Sequence, residues 1–202
     1  MLLSPAWSSA ATAEPAVASV VAGLARPAPA RVPFAEIRIL HVMDRPLLSR
    51  GELAWLGQGH LQRKVLQPQP GLVDIAGDQV TLLRQGRAPR TFSLHRAPEL
   101  QLVLKSFNAL LEGDAVRLQQ SFQATLQSRP QGSWTLDLVP RDENLRSQIL
   151  HIAMDGAGRQ IRCMRIEQPH GDRSIELFGA LAAKLGASPQ PDALLRLCQS
   201  AD

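Results

Sequence analysis

Residues 48–67 read LSRGELAWLGQGHLQRKVLQ, two segments in which polar and apolar side chains alternate on either side of Gly57-Gln58-Gly59. Alternation with a period of two is typical of a β-strand with one buried face, and glycines permit the positive φ angles of a tight turn. The stretch therefore predicts a β-hairpin. Its apolar face carries Leu53, Trp55, Leu61 and Val65.

Short alternating segments recur on both sides of this hairpin. Upstream, residues 34–43 (FAEIRILHVM) place Ala35, Ile37 and Ile39 on one side and polar residues on the other. Further segments, with turn residues between them, lie at 71–75, 80–84, 90–94, 121–127, 134–139, 148–154, 160–167 and 173–178. The pattern predicts about ten or eleven short antiparallel strands, and a sheet of that size must curl.

Helices interrupt the strand pattern. The Ala-rich segment 15–24 predicts an N-terminal helix, and shorter helices are expected after Asp114 and in the tail. After Pro98, apolar residues recur at three- and four-residue spacing, which predicts an amphipathic helix ending at Gly113. Its apolar face carries Leu100, Leu104, Phe107 and Leu111. The expected fold class is α+β, a curled antiparallel sheet covered by helices, with either a packed core or a cavity between them.

Composition excludes several classes of protein. Of 202 residues, 45% are hydrophobic and 20% charged, which excludes a wholly disordered chain and a polytopic membrane protein. The net charge is +4, but the basic residues are scattered, so no nucleic-acid partner is expected. The two cysteines, Cys163 and Cys198, exclude a CxxC metal site, and they leave one disulfide or two free thiols open.

Residues 1–13 (MLLSPAWSSAATA) carry no charge and end in a small-x-small pattern that signal peptidase accepts. They are interpreted as the remnant of a signal peptide, although an Ala/Ser-rich tail fits the same letters. Residues 14–180 are expected to form a single domain, and residues 181–202 a helical tail. No later segment has the roughly 20 unbroken apolar residues of a membrane span, so a soluble protein outside the cytoplasm is expected.

His170, Asp172 and Ser174 lie close together in sequence and invite comparison with a catalytic triad. Alternate residues of one strand sit about 7 Å apart, too far for a hydrogen-bonded relay, and Gly171-Asp172 before a strand favours a hairpin turn. The sequence has no nucleophile elbow, Walker loop, HExxH or GxGxxG motif. No catalytic residue, metal ligand or cofactor is therefore predicted, and the protein is not expected to be an enzyme.

Several short motifs along residues 16–178 resemble, in their order and spacing, the LolA family of periplasmic outer-membrane lipoprotein carriers, in its divergent LolA-related branch. The first helix followed by residues 30–36 (ARVPFAE) is similar to the family's opening helix and strand. The other similar motifs are Pro46-Leu47, Gly51-Glu52-Leu53, Gly77-Asp78, residues 136–142 (LDLVPRD) and Gly171-Asp172-Arg173-Ser174. The family's early Arg-Pro pair, whose arginine latches the lid, is replaced here by Gly57-Gln58-Gly59.

The resemblance implies an unclosed β-barrel capped by helices, whose apolar interior receives the acyl chains of a lipoprotein or another lipidated cargo. It implies a monomeric periplasmic protein that transfers this cargo from an inner-membrane transporter towards an outer-membrane acceptor. With the faces set by alternation, the cavity is lined by Leu53, Trp55, Leu61, Val65, Val80, Leu82, Trp134, Leu136 and Ile149. The lid helix contributes Leu100, Leu104, Phe107 and Leu111.

Several alternatives remain open. Some members of the divergent branch look associated with export of lipid-like pigments, so an aryl-polyene-type pigment lipid, working with a membrane exporter, is a second cargo. The half-barrel could instead bind a protein partner as an interaction or sensing module. A hydrolase of lipid esters acting through His170 is the third alternative. For Trp55 and Trp134, core packing and a ligand-contacting wall are both compatible with the sequence.

Overall fold

The computed structural model describes residues 13–186 and 189–200, so most of the predicted signal remnant lies outside the described residues. The strands are β1 (Ala30–Ile39), β2 (Leu47–Gly57), β3 (His60–Gln67), β4 (Gly71–Ala76), β5 (Gln79–Arg84), β6 (Arg90–Ser93), β7 (Phe122–Ser128), β8 (Ser133–Pro140), β9 (His151–Ala157), β10 (Gln160–Glu167) and β11 (Arg173–Phe178). The helices are α1 (Ala13–Leu24), α2 (Pro98–Glu112), α3 (Ala115–Ser121), α4 (Glu143–Arg146) and α5 (Pro191–Gln199).

All strands belong to one antiparallel sheet with the order β6-β5-β4-β3-β2-β1-β11-β10-β9-β8-β7. Two meanders, β1 to β6 and β7 to β11, join where β1 pairs with β11 from Phe34–Phe178 to Ile39–Arg173. Within the described part of the chain, β6 and β7 each pair on one side only, so the sheet is not closed. The predicted α+β fold, a curled and unclosed antiparallel sheet with covering helices, is confirmed.

The sheet buries apolar side chains on both faces, and different helices cover the two faces. We name the face against which α1, α2 and α3 pack the inner face, where Val21, Leu118 and Leu136 belong to one buried core. The opposite face, which we name the outer face, is covered by α5 and the 3-10 helix Gly179–Lys184, and its core includes Leu177. The inner face is the one that the sequence assigned to a cavity.

A disulfide ties the outer cover to the sheet. It joins Cys163 of β10 to Cys198 of α5, with 5.5 Å between the Cα atoms, so the single bridge is the alternative found. Arg50 adds polar contacts, because its guanidinium donates to the carbonyls of Ala182 (3.1 Å) and Leu185. The 3-10 helix and α5 are thereby fixed against the outer face.

Strand β1 differs from its prediction at both ends. It begins at Ala30 and includes Pro33. Proline has no N–H to donate, but it fits here because β11 pairs with β1 only from Phe34 onwards, so no hydrogen bond is required from Pro33 on that side. It ends at Ile39, beyond which the amide of Met43 donates to the carbonyl of Leu40 (3.0 Å) in a turn. The predicted span 34–43 was therefore wrong in its bounds.

The segment before β9 also differs from the prediction. Asp142 caps α4 by accepting from the amide of Leu145 (2.8 Å), and the carbonyl of Leu145 accepts from the amide of Ile149 (2.8 Å). These bonds continue the helical turn to Ile149, so β9 starts at His151 instead of residue 148. Ile149 therefore lies outside the sheet.

Candidate functional site

Strand register shows which side chains share the inner face, because residues paired across antiparallel strands project from the same side. One row of pairs contains Trp55, Leu61, Ile75, Val80 and Phe92, and the next row contains Leu53, Arg63, Val73, Leu82 and Arg90. A further row runs from β2 across β1, β11, β10 and β9 to β8. It contains Ser49, Glu36, Glu176, Met164, Met154 and Leu136. The strand residues proposed for the cavity therefore all project from the inner face.

Strands β7 to β10 form a half of the inner face that helices fill, and we name it the packed half. Trp134 and Leu136 are only 5% and 0% exposed, and they pack in one core with α1, α2 and α3. Ile149 packs against the same core. The space left beneath α2 and α3 is about 10 Å³, room for at most one water molecule. This half is a filled core.

Strands β2 to β5 form the other half of the inner face, which we name the open half. Its half-buried apolar side chains are Leu53, Trp55, Leu61, Val73, Ile75 and Leu82. Val80, in the same rows, is buried, and Val65 lies near the end of β3. Val73 and Ile75 were missed by the sequence analysis, although the alternation in β4 carries the signal that identifies them. Apolar side chains that are neither buried nor fully exposed offer a surface for an apolar ligand.

Helix α2 reaches both halves. It ends as predicted at Gly113, whose φ of 77° is a left-handed conformation that glycine adopts readily. Near its start, the Gln101 side chain donates to Asp78 in the β4–β5 turn (3.2 Å). Further along, the Asn108 side chain lies close to Gly59 in the β2–β3 turn. The helix therefore bridges the ends of two hairpins of the open half while packing on the other half.

The predicted lid residues have different environments. Phe107 packs against the core of the packed half, Leu104 and Leu111 are half-buried, and Leu100 is 37% exposed. A second apolar stripe of α2, which the predicted face did not include, meets the packed half through Leu102, Val103 and Leu110, and Phe107 is shared by both stripes. The packed half contacts one of the two apolar stripes of α2. The other stripe is therefore left for the open half.

A charged cluster lies on the inner face between the two halves. Glu36 and Glu176 are paired directly across β1 and β11, and Arg63 from β3 forms ion pairs with both, at 2.6 Å to Glu36. Burial raises the pKa of Glu176, the neighbouring Arg63 opposes that rise, and the Glu36 carboxylate adds to it. The Arg63 guanidinium thus bridges two adjacent, mostly buried carboxylates, and Arg38 lies 4.0 Å from Glu36.

Arg63 reaches these carboxylates across β2, where Gly51 has no side chain. A Cβ at Gly51 would lie 1.9 Å from the carbonyl oxygen of Lys64 and 2.8 Å from the ring of Phe34, so only glycine fits. The Arg63 guanidinium lies 3.8 Å from the centre of the Phe34 ring, a cation–π contact that supports its position.

This cluster was not predicted, because the apolar side of β1 was expected to face the core and Glu36 lies on its polar side. In the structure, Ala35 and Ile37 belong to the outer core, and Glu36 projects from the inner face. Alternation within one strand separates its two sides but does not tell which helices cover them. The available signal was Arg63, a cation on the apolar side of the hairpin.

Two buried polar atoms near the β2–β3 turn have no hydrogen-bond partner within the described part of the chain. They are the indole nitrogen of Trp55, a donor, and the side-chain oxygen of Asn108, an acceptor. Trp55 belongs to the open half, and Asn108 lies on α2 beside Gly59. This end of the open half therefore contains a buried donor and a buried acceptor whose hydrogen bonds are unmade among the described residues.

In the structure, the partner of Asp172 is His41, a residue that the catalytic alternative through His170 did not include. Asp172 accepts from the backbone amide (2.7 Å) and the Nδ1 atom (2.8 Å) of His41, and these bonds lower the pKa of its carboxyl. His170 lies against His41 with 5.4 Å between the ring centres. Ser174 pairs with Arg38 and Ile166 on the inner face. Asp172 thus orders the loop of β1–β2 through His41.

Among the described residues, no group of three or more His, Cys, Asp or Glu side chains is arranged to hold a metal ion. In residues 13–186 and 189–200, none of the helices is long and apolar enough to cross a membrane. The candidate site is the open half of the inner face, because its apolar side chains are only half-buried.

Residues 9–201 match the family described as "Outer membrane lipoprotein carrier protein LolA-like", which covers nearly the whole chain. The chain belongs to this LolA-like family. The resemblance read from the sequence motifs is thereby confirmed. No curated protein matches this LolA-like chain.

Solved structures are similar to the LolA-like chain at low identity. A LolA superfamily protein from Nitrosomonas europaea is 11% identical with a TM-score of 0.43, covering 91% of this chain and 97% of that chain. The Pseudomonas aeruginosa MucA/MucB complex gives 12%, a TM-score of 0.43, and coverage of 89% and 60%. A putative outer membrane lipoprotein-sorting protein domain from Vibrio parahaemolyticus gives 10%, a TM-score of 0.40, and coverage of 92% and 97%.

Proposed function

We propose that this LolA-like chain is a periplasmic carrier that binds acyl chains of a lipoprotein, or of another lipidated cargo, on the open half of its inner face. The observation that carries the proposal is the row of half-buried apolar side chains, from Leu53 to Leu82, next to a half that helices fill completely. In this proposal the packed half supplies stability, and α2 is the lid over the open half.

The physical need for such a surface is simple. Exposing an acyl chain to water costs about 0.8 kcal/mol of free energy for each CH₂ group, so a carrier must cover the chain with apolar side chains. Leu61, Ile75 and Leu82 provide such groups, and the charged residues in their rows are Arg63 and Arg90. Binding of this kind requires no catalytic group, and we propose that the protein is not an enzyme.

The lid is proposed to be held without the family's latch arginine. Arg63, the cation of the inner face, bonds to carboxylates of the sheet instead of to α2. Helix α2 contacts the open half through the Gln101–Asp78 hydrogen bond and through Asn108 beside Gly59, while Leu110 is buried in the packed half. Loading is therefore proposed to separate α2 from these two turns while the helix stays packed on the other half.

Trp55 and Asn108 give the proposed site a polar end. Their unpartnered indole N–H and amide oxygen match a secondary amide, which has one acceptor and one donor. An N-acyl amide at the head of an acyl chain has this chemistry. We therefore propose that the polar end of the cargo lies at the β2–β3 turn, with its chains along β3 to β5.

The remaining parts of the proposal follow from family membership and from the sequence. They are a monomer in the periplasm, loading by an inner-membrane transporter, release to an outer-membrane acceptor, and a carrier domain at 14–180 with residues 181–202 as its tail.

Leu104→Glu tests the lid and the cargo site together. A carboxylate on the half-buried side of α2 should reduce uptake of a fluorescent fatty acid or N-acylated peptide at least tenfold, because it would need desolvation against the chain. The matched control is Lys105→Glu, an exposed position on the same helix that should leave uptake unchanged.

Native mass spectrometry of the protein isolated from its own cell envelope identifies the cargo. A bound mass that organic solvent removes supports a carrier, and its value separates a lipoprotein from a pigment lipid. A clean apo mass, with no uptake of added acylated peptide by the wild type, would overturn the proposal and favour a protein-interaction module. Turnover of an ester substrate would favour the hydrolase.

A further inference from the structure

A basic groove of about 570 Å³ lies on strands β3 to β5. Its lining includes Lys64, Leu72 and Leu83 from the outer face, and it adjoins the proposed cargo site through Val65 and Arg84, whose row projects from the inner face. Arg31, Lys64, Arg84 and Arg87 line it, and none of the described acidic residues does. Arg31 is paired with Glu52 at 2.8 Å. The other three cations are exposed and have no ion pair among the described residues. The groove therefore carries three uncompensated positive charges.

The floor of the groove is apolar. Lys64, Leu72 and Leu83 lie in one row across β3, β4 and β5, and all three line the groove. Leu66, which follows in β3, is 51% exposed, and Leu83 is 38% exposed. Cations beside exposed leucines are the combination found on protein segments that lie in a membrane interface.

Further exposed apolar side chains lie at the same end of the sheet. The register places the β1–β2, β3–β4 and β5–β6 loops together at one edge, which we name the rim (residues 40–46, 68–70 and 85–89). In the first of these loops Val42 is 75% and Met43 is 45% exposed. The second contains Pro68 and Pro70. The cargo lid, by contrast, is anchored at the β2–β3 and β4–β5 turns, at the opposite end.

We propose that the groove and the rim dock on a bilayer that contains anionic phospholipid. Lys64, Arg84 and Arg87 bind the phosphodiester groups, while Leu66 and Val42 insert at the level of the first acyl carbons. An acidic protein segment would match the charges, but it would not account for exposed leucine, valine and methionine side chains along the same edge. The site would hold the carrier at a membrane with its lid end free.

The test measures binding to vesicles of 30% phosphatidylglycerol in phosphatidylcholine and to vesicles of phosphatidylcholine alone. Binding to the anionic vesicles is expected, and it should weaken as salt is raised. Lys64→Glu with Arg84→Glu should weaken that binding at least about 25-fold, since each neutralised cation near such a surface is worth about fivefold. Leu66→Ser should weaken it about tenfold through the lost apolar contact.

Two control variants match these changes. Lys105→Glu with Arg96→Glu changes the net charge equally at exposed positions outside the groove, and Val116→Ser replaces an exposed apolar residue of α3. Both should bind anionic vesicles as the wild type does. Circular dichroism checks that every variant is folded.

The proposal is overturned if the groove variant and its control bind equally, or if the wild type binds neither kind of vesicle. In the latter case, an acidic protein partner becomes the better explanation of the groove. Fatty acid uptake in the same variants separates this proposal from the carrier function. Uptake kept while docking is lost supports both, and docking without uptake in the wild type would leave docking standing and overturn the carrier.

Discussion

The packed half and the open half of the inner face have the same alternating strand pattern but different cover. Leu136 in β8 is fully buried beneath helices, whereas Leu82 in β5 is only half-buried. Both side chains project from the same face of one sheet. The difference shows that alternation determines which side chains point inward, while the helices determine whether these side chains form a core or a binding surface.

The charged cluster marks the boundary between the two halves. Glu36, Glu176 and Arg63 occupy the inner face of β1, β11 and β3, where an uninterrupted apolar face would otherwise continue. Buried ion pairs contribute little net stability because of the cost of removing charges from water. Their position instead separates the apolar surface into a part that folds the protein and a part left for a ligand.

The largest expected loss of stability comes from a change on the outer face. This change also tests whether ligand binding on the inner face depends on the outer cover. Replacing Cys163 and Cys198 with alanine removes a bridge with a sequence separation of 35 residues. Loop-closure entropy for such a separation corresponds to about 4 kcal/mol. Urea unfolding should show this loss, while fatty acid uptake at low denaturant stays unchanged. Reduced uptake in the folded variant would show that the outer cover shapes the open half.

A pair of leucine variants tests the comparison directly. Leu136→Ala should lower the free energy of unfolding by about 3 kcal/mol, because it leaves a cavity in a filled core. Leu82→Ala should lower it by about 1 kcal/mol but weaken acyl-chain binding, because its side chain is only partly covered. Urea denaturation and a fluorescent fatty acid titration measure the two effects. Equal losses of stability would mean that the open half is also core.

The boundary cluster gives the smallest of these three effects, and it depends on pH. Arg63→Met leaves Glu176 without its cation and Glu36 with Arg38 alone, at 4.0 Å, which should cost about 2 kcal/mol at neutral pH. Lowering the pH protonates Glu176 and removes the need for a cation, so the loss should shrink between pH 7 and pH 4.5. Urea denaturation at both pH values measures it, and a loss independent of pH would exclude this electrostatic cause.

The sign of that pH dependence follows from the pKa shifts. Burial raises the folded-state pKa of Glu176 above its ordinary 4.5, so its contribution to stability is present below pH 4.5 and is lost as the pH rises through the raised value. Asp74, whose pKa is lowered by a hydrogen bond from His60, acts oppositely and loses its contribution only below its ordinary 3.8. A comparison at pH 4.5 and above therefore isolates the cluster.

Local patterns gave a good account of the elements. The hairpin at residues 48–67, the end of α2 at Gly113 and the starts of β3, β10 and β11 agree with the prediction. Misassignments occurred where strand pairing or a competing helical turn outweighed the alternating pattern. Pro33 enters a strand because one side of β1 is unpaired there, and Ile149 leaves one because Asp142 starts a helical turn.

The candidate site could be predicted only in part. Leu53, Trp55, Leu61 and Leu82 were found because alternation is a property of each strand alone. The filling of the space over Trp134 and Leu136, and the assignment of Phe107 to the core, could not be found that way. These outcomes depend on how α1 and α3 pack, which strand patterns do not encode.

The sequence alone determined the strand pattern, the inward side of each hairpin and the family, because turn residues, side-chain periodicity and motif order are properties of neighbouring residues. Only the tertiary structure decided the pairing of Cys163 with Cys198, the crossing of Arg63 over Gly51 to two glutamates, and the division of one apolar face into a core and an open surface. Each of these joins residues far apart in the chain, and such contacts exist only once the sheet has curled and the helices have docked.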